Sequence, residues 1–217
     1  GHQLRELGQD GHVAAALGGD FLDGLRQFYP DAHQAWLNAL PEDLRDQPLE
    51  GYLQQLGSRN TTVRLAAGEA WANYEAACSS LAGSRGFGRS EGAWRMARLE
   101  AHYLAHHCFF DDIHAGALSA LKSAPSVPGI LVQGRFDMIC PLEGAFALKE
   151  LWPTLDLRVI QQAGHSAGEP TIAEAPADRS STCRPDRSTD SILVRSSPEG
   201  TATVAAASAS LACLSCA

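Results

Sequence analysis

The stretch from Gly129 to Glu169, GILVQGRFDMICPLEGAFALKELWPTLDLRVIQQAGHSAGE, constrains this chain more than any other. A short apolar run, Ile130-Leu131-Val132, stops at Gly134. Leu142, Ala145, Phe146 and Leu148 then recur at helical spacing up to Leu151, and a β-rich run, Leu157-Arg158-Val159-Ile160, stops at Gly164. Strand, crossover helix, strand predicts two parallel neighbours in an open α/β sheet. In such sheets the chemistry collects just beyond the carboxyl ends of the strands. The residues delivered to those two ends are Asp137 and His165. A carboxylate and an imidazole on one rim are two members of a Ser-His-Asp relay.

A chain of 217 residues can bury a sizeable core in one or two domains. Its net charge of -8 and pI near 5.4 argue against a nucleic-acid partner or an anionic membrane surface. No run approaches the roughly 18 apolar residues needed to span a bilayer. The first residues, GHQLRELGQDGH, show no signal-peptide pattern and no initiator Met, so processing or truncation is expected. Six scattered cysteines are too sparse for a disulfide framework, which leads to an expected cytoplasmic location. Cys213 and Cys216 have the spacing of half a zinc site but no second pair.

Four regions follow. Residues 1–20 are Gly-rich and weakly patterned. Residues 21–122 read as helices: short ones broken by Pro30, Pro41 and Gly57, a long one from Val63 to Leu81 with Thr61 or Thr62 as N-cap, a second from Glu91 to His107, and a short one from Asp111 to Leu121. Residues 123–176 hold the strand-helix-strand unit. Residues 177–217 are rich in Ser, Thr, Ala and Arg without a sustained period, so disorder is expected, with TATVAAASASLACL able to form a fragile helix or strand.

Two carboxylates interrupt apolar stripes in the long helices. Trp71, Tyr74, Glu75 and Cys78 share one face, and Met96, Leu99, Glu100 and Tyr103 repeat the pattern. An inward carboxylate is costly unless it meets a cation or several donors. Either each pairs with an arginine such as Arg64, Arg95 or Arg98, or both face a shared cationic ligand. His102, His106, His107, Cys108, Asp111, Asp112 and His114 crowd together, but no HExxH motif organises them, so no metal site is expected. Gly164-His165-Ser166-Ala167-Gly168 matches the G-x-S-x-G nucleophile elbow, yet no histidine follows Ser166 and the order serine, acid, histidine fails. With His165 as base, Asp137 precedes it correctly, and the nucleophile belongs upstream. The loop Gly83-Ser84-Arg85-Gly86 is one residue short of an elbow.

The motifs AWANYEAACSSL, ARLEAHYL, VQGRFDMICPLEGAFALKELWP and VIQQAGHSAGEP are similar to those of prolyl iminopeptidases (prolyl aminopeptidases). These are serine peptidases of the α/β-hydrolase fold. The resemblance runs from about Tyr29 to Ala175. It implies a partial α/β-hydrolase fold: a helical cap followed by the last strand-helix-strand unit of the sheet. It further implies Asp137 as the acid and His165 as the base of the triad. Glu75 and Glu100 would be the cap glutamates that hold the substrate's free amino terminus. The implied substrate is a peptide with an N-terminal proline, and no cofactor or metal is needed. The family's G-G-S-W-G elbow and H-G-G-P oxyanion segment do not occur here, and Leu104 stands where the family has an aromatic. An incomplete gene product with negligible turnover of its own is therefore expected. Two other readings stay open: a different capped α/β-hydrolase such as an esterase or epoxide hydrolase, or a non-catalytic binding module.

Overall fold

The computed structural model describes residues 25–83, 86–106, 128–175, 195–196 and 202–205. Helices α1 (Pro30–Asn38), α2 (Pro48–Leu56), α3 (Thr61–Ser79) and α4 (Glu91–Ala105) come first, with a 3₁₀ turn at Glu42–Leu44 between α1 and α2. Then follow β1 (Gly129–Gly134), α5 (Leu142–Leu151), β2 (Leu155–Ile160), α6 (Pro170–Ala173), β3 (Arg195–Ser196) and β4 (Ala202–Ala205). The helix expected at 111–121 lies outside the described residues. None of the described helices is long and apolar enough to cross a membrane.

Local chemistry sets the helix ends. Proline opens α1 and α2, where its missing N–H costs nothing. The cap of α3 is Asn60, not Thr61 or Thr62: Asn60 is still extended, and its Oδ1 accepts from Thr62 N–H at 2.9 Å. Thr61 is already the first helical residue, so its hydroxyl cannot take that place. Ser90 caps α4 by accepting from Ala93 N–H at 3.1 Å.

The four helices share an aromatic core. Trp36 stacks on Tyr52 at 4.8 Å and on Tyr74 at 5.1 Å, with Trp71 edge-on at 5.8 Å. The Tyr52 hydroxyl donates to the Trp36 carbonyl at 2.8 Å. Helices α3 and α4 approach closely at Gly68, where a Cβ would come within 2.5 Å of Trp94 Cα. That closeness selects small residues, and α4 buries Ala93, Ala97 and Ala101 together with Glu100. The apolar stripe expected on α4 is therefore displaced: Met96 and Leu99 are 40% and 42% exposed.

Strands β2, β1, β4 and β3 form one sheet in that order. β1 pairs parallel to β2, Gly129 opposite Leu155 through Gly134 opposite Ile160, and parallel to β4 on its other side. β3 pairs antiparallel with β4. Both faces of β1 are covered, as a parallel strand requires. Leu131, Ala145 and Leu155 pack on the α5 side, and Ile130, Val132, Ala163 and Ile172 on the α6 side. The six described residues of the tail form strands: β4 lies in the run TATVAAASASLACL, read above as able to form a fragile helix or strand, and β3 in the stretch before it. Thr203 and Val204 are β-branched, and β1 offers them a full row of backbone partners.

The helix contact at Gly68 makes a direct prediction. Gly68→Ala should destabilise the chain by about 1–3 kcal/mol despite alanine's better helix propensity, because Trp94 backbone must move. Gly92→Ala, whose Cβ meets only Ser90 Oγ at 3.9 Å, should be neutral or stabilising. Urea midpoints of the two variants measure the difference.

Candidate active site

Because β1 and β2 are adjacent and parallel, the loops leaving them lie side by side. Arg135 N–H donates to the Ile160 carbonyl at 2.8 Å and Phe136 N–H to the Ala163 carbonyl at 2.9 Å, which stitches the two loops together. Gly134 permits this, since a Cβ there would overlap the Gly164 carbonyl oxygen. The loops bring Asp137 and His165 into contact. His165 Nδ1 lies 3.1 Å from Asp137 Oδ1 and 3.0 Å from Oδ2, and the two residues are 1% and 3% exposed.

The Asp137 carboxylate is saturated with donors. Oδ1 accepts from Ile139 N–H at 3.1 Å and Cys140 N–H at 2.7 Å, and Oδ2 accepts from Gln133 Nε2 at 2.7 Å. A carboxylate only accepts, so the shared proton sits on His165 Nδ1 and leaves Nε2 as the acceptor. Nε2 is buried and has no hydrogen-bond partner among the described residues. Ser166 is not in hydrogen-bond contact with Nε2, and its hydroxyl accepts from Gly168 N–H at 3.2 Å.

The two acids on the helices differ in setting. Glu100 is buried on α4 and accepts from Trp71 Nε1 at 2.7 Å. Glu75 is half-buried on α3, one turn beyond Trp71 and on the same helix face, and the Trp71–Glu100 hydrogen bond links α3 to α4. Among the arginines weighed as their partners, Arg64 and Arg95 pair with Glu91 at 3.1 and 4.0 Å, and Arg98 lies over the Trp94 ring. His102 and His106 stand ring to ring at 4.3 Å on the exposed face of α4. His107, Cys108, Asp111, Asp112 and His114 lie outside the described residues.

Asp137, Cys140 and His165 have potential ligand atoms within 4.8 Å of one another. A cation there would have to displace the N–H donors that already occupy both Asp137 oxygens, so the set is built for hydrogen bonding.

Two contributors escaped the sequence reading. Gln133 bridges Asp137 and the Cys140 carbonyl, the latter also at 2.7 Å. A polar residue directly after the apolar run, still within the strand, was its available signal. Glu169 is buried and accepts from Leu81 and Gly164 N–H at 2.9 and 3.2 Å.

Fold and site together define a class: an α/β protein with a buried acid–histidine pair at the tips of neighbouring parallel strands, beneath a helical unit. Comparison with curated relatives narrows it. The chain is 33% identical over 159 residues to the proline iminopeptidases of Xanthomonas citri and Xylella fastidiosa, covering 71% of this chain and 50% of each relative. It is 31% identical over 156 residues to the proline iminopeptidase of Arabidopsis thaliana, covering 69% of this chain and 40% of that protein. The resemblance drawn from the motifs is thereby borne out, and the chain spans about half the length of the curated bacterial relatives it matches. No protein-family model matches it.

Near the site, burial pushes the Cys78 thiol up to about 12 from 9.0, helped by the charges of Asp31 and Glu75 and opposed by a hydrogen bond with Tyr74. Below pH 9 the thiol is neutral folded and unfolded. Between there and about 12 only the unfolded thiol ionises, so its contribution to stability falls as pH rises. The urea midpoint should therefore drop from neutral pH to about pH 10, and less steeply in Cys78→Ala. An identical slope in that variant would place the thiol outside the core.

Proposed function

We propose that these residues are the acid–base half and the amine-recognition half of a serine peptidase that releases N-terminal proline from peptides, on an α/β-hydrolase scaffold. The buried Asp137–His165 pair, with Nε2 bare on its far side, is the observation that carries this reading. The names of the relatives supply the substrate class. A cytoplasmic setting belongs to this reading, since six scattered cysteines are too sparse for a disulfide framework.

The chemistry follows from the geometry. A serine hydroxyl at Nε2 gives up its proton to the imidazole as it attacks the prolyl carbonyl. Asp137 accepts from Nδ1–H throughout and stabilises the imidazolium, while its backbone donors hold the carboxylate still. Nε2–H then protonates the departing amine. An N-terminal proline carries a charged secondary ammonium with two N–H donors, which Glu75 and Glu100 match. Acylated or internal prolines leave both acids without that cation, which is costly in a desolvated pocket.

His165 Nε2 meets no hydroxyl among the described residues, so this chain alone should hydrolyse proline p-nitroanilide negligibly and leave a fluorophosphonate probe unreacted. Rapid turnover with a labelled serine would refute that. Recognition is tested separately by calorimetry. L-prolinamide should bind and N-acetyl-L-prolinamide should not, and the Glu75→Gln/Glu100→Gln double variant should weaken binding at least about tenfold. Equal binding of the two amides would contradict the proposed role of the acids.

A further inference from the structure

We infer that Glu169 is a positioning residue whose carboxylate clasps the end of helix α3 to the His165 loop and so fixes the base at a set distance from Glu75. Three hydrogen bonds cross between the two segments, and a fourth, within the loop, anchors the carboxylate. Glu169 Oε1 accepts from Leu81 N–H at 2.9 Å and Gly164 N–H at 3.2 Å. In the reverse direction the Ser79 carbonyl accepts from His165 N–H at 2.9 Å and Ser166 N–H at 2.8 Å. Segments 79–81 and 164–169 thus each donate to and accept from the other.

The elements on either side are stiff. Ser79 is one helical turn beyond Glu75, and its hydroxyl donates to the Glu75 carbonyl at 2.7 Å. From Glu75 to the imidazole there is one turn of helix and one hydrogen bond. Gly164 eases the approach, since a Cβ there would sit 3.1 Å from both Glu169 Oε1 and the Ser79 carbonyl oxygen and crowd them by a few tenths of an ångström. Glu169 is 7% exposed, and a buried carboxylate is retained only where donors meet it. Without it, the Leu81 and Gly164 amides would lose their acceptor.

The consequence rests on the proposed function, while the clasp rests on hydrogen bonds alone. An enzyme that removes one residue must hold the amino terminus and the scissile carbonyl a fixed distance apart, and a misplacement of about 1 Å can cost about 100-fold in rate. The clasp is the ruler that sets this distance.

The test uses the 217-residue chain, amide hydrogen exchange and ring ¹⁵N spectra. Glu169→Ala should speed exchange at Gly164 and Leu81 at least about tenfold and turn the His165 ring from one tautomer to an averaged mixture, leaving Trp36 and Tyr52 amides protected. Glu169→Gln keeps an acceptor oxygen and should restore both signals. Gly164→Ala, which crowds the clasp without removing its charge, should loosen the same two amides and keeps the test readable if Glu169→Ala does not fold. Unchanged exchange and tautomer in folded Glu169→Ala, or Glu169→Gln behaving like it, overturns the inference. L-prolinamide should bind the wild type and folded Glu169→Ala equally, but shift the His165 ring only in the wild type. Loss of the clasp signals in a chain that never binds prolinamide keeps the clasp and removes the peptide reading.

Discussion

A carboxylate and an imidazole can share a proton away from water only if the backbone around them supplies the solvation that water no longer gives. Here that solvation comes from the chain itself. Asp137 is ringed by Ile139 and Cys140 N–H, the Gln133 amide and His165 Nδ1–H. Burying an unpaired carboxylate would cost several kcal/mol, so these donors decide whether the residue can sit there at all. The parallel pairing of β1 with β2 comes first in the causal order, because it delivers both loops to one edge in fixed register. The rest of the site is arranged around that edge.

The helical unit is joined to this edge through side chains and backbone alike. Ile139, with Met138 and Cys140, packs into the aromatic cluster of Trp36, Tyr52, Trp71 and Tyr74, so the Asp137 turn belongs to the helical core as well as to the sheet. The Ser79 carbonyl reaches the His165 loop directly. Movement of α3 would therefore be felt at the imidazole. In the proposed peptidase this links amine recognition by the helices to proton transfer at the strand tips.

Much of this was legible in the sequence because the signals are local. The apolar run 130–132, the helical spacing after Leu142 and the glycines at 134 and 164 mark β1, α5 and β2, and with them the meeting of Asp137 and His165. The inward turn of Glu100 was also readable, but for an incomplete reason. Periodicity placed it with Met96 and Leu99, whereas the tight approach at Gly68 buries Ala93, Ala97 and Ala101 and leaves those two larger residues half in solvent. Helix patterns report hydrophobicity and not interhelical distance, and here distance decided the face. Asn60 as the cap of α3 turned on one residue of backbone geometry. Glu169 acts across 88 residues of chain on Leu81 N–H, and such a partner has no local signature. Strand β4 depends on the edge that β1 presents and not on its own weak pattern.

The most direct check of the account is the protonation of one ring. A long-range ¹H–¹⁵N spectrum of His165 in the wild-type chain at neutral pH should show Nδ1 protonated and Nε2 bare, with the Nδ1 proton held against exchange with water, and Asp137→Asn should abolish that state. A ring protonated at Nε2, or one averaging between tautomers in the folded wild type, would contradict the claim that Asp137 and His165 form a buried acid–base pair.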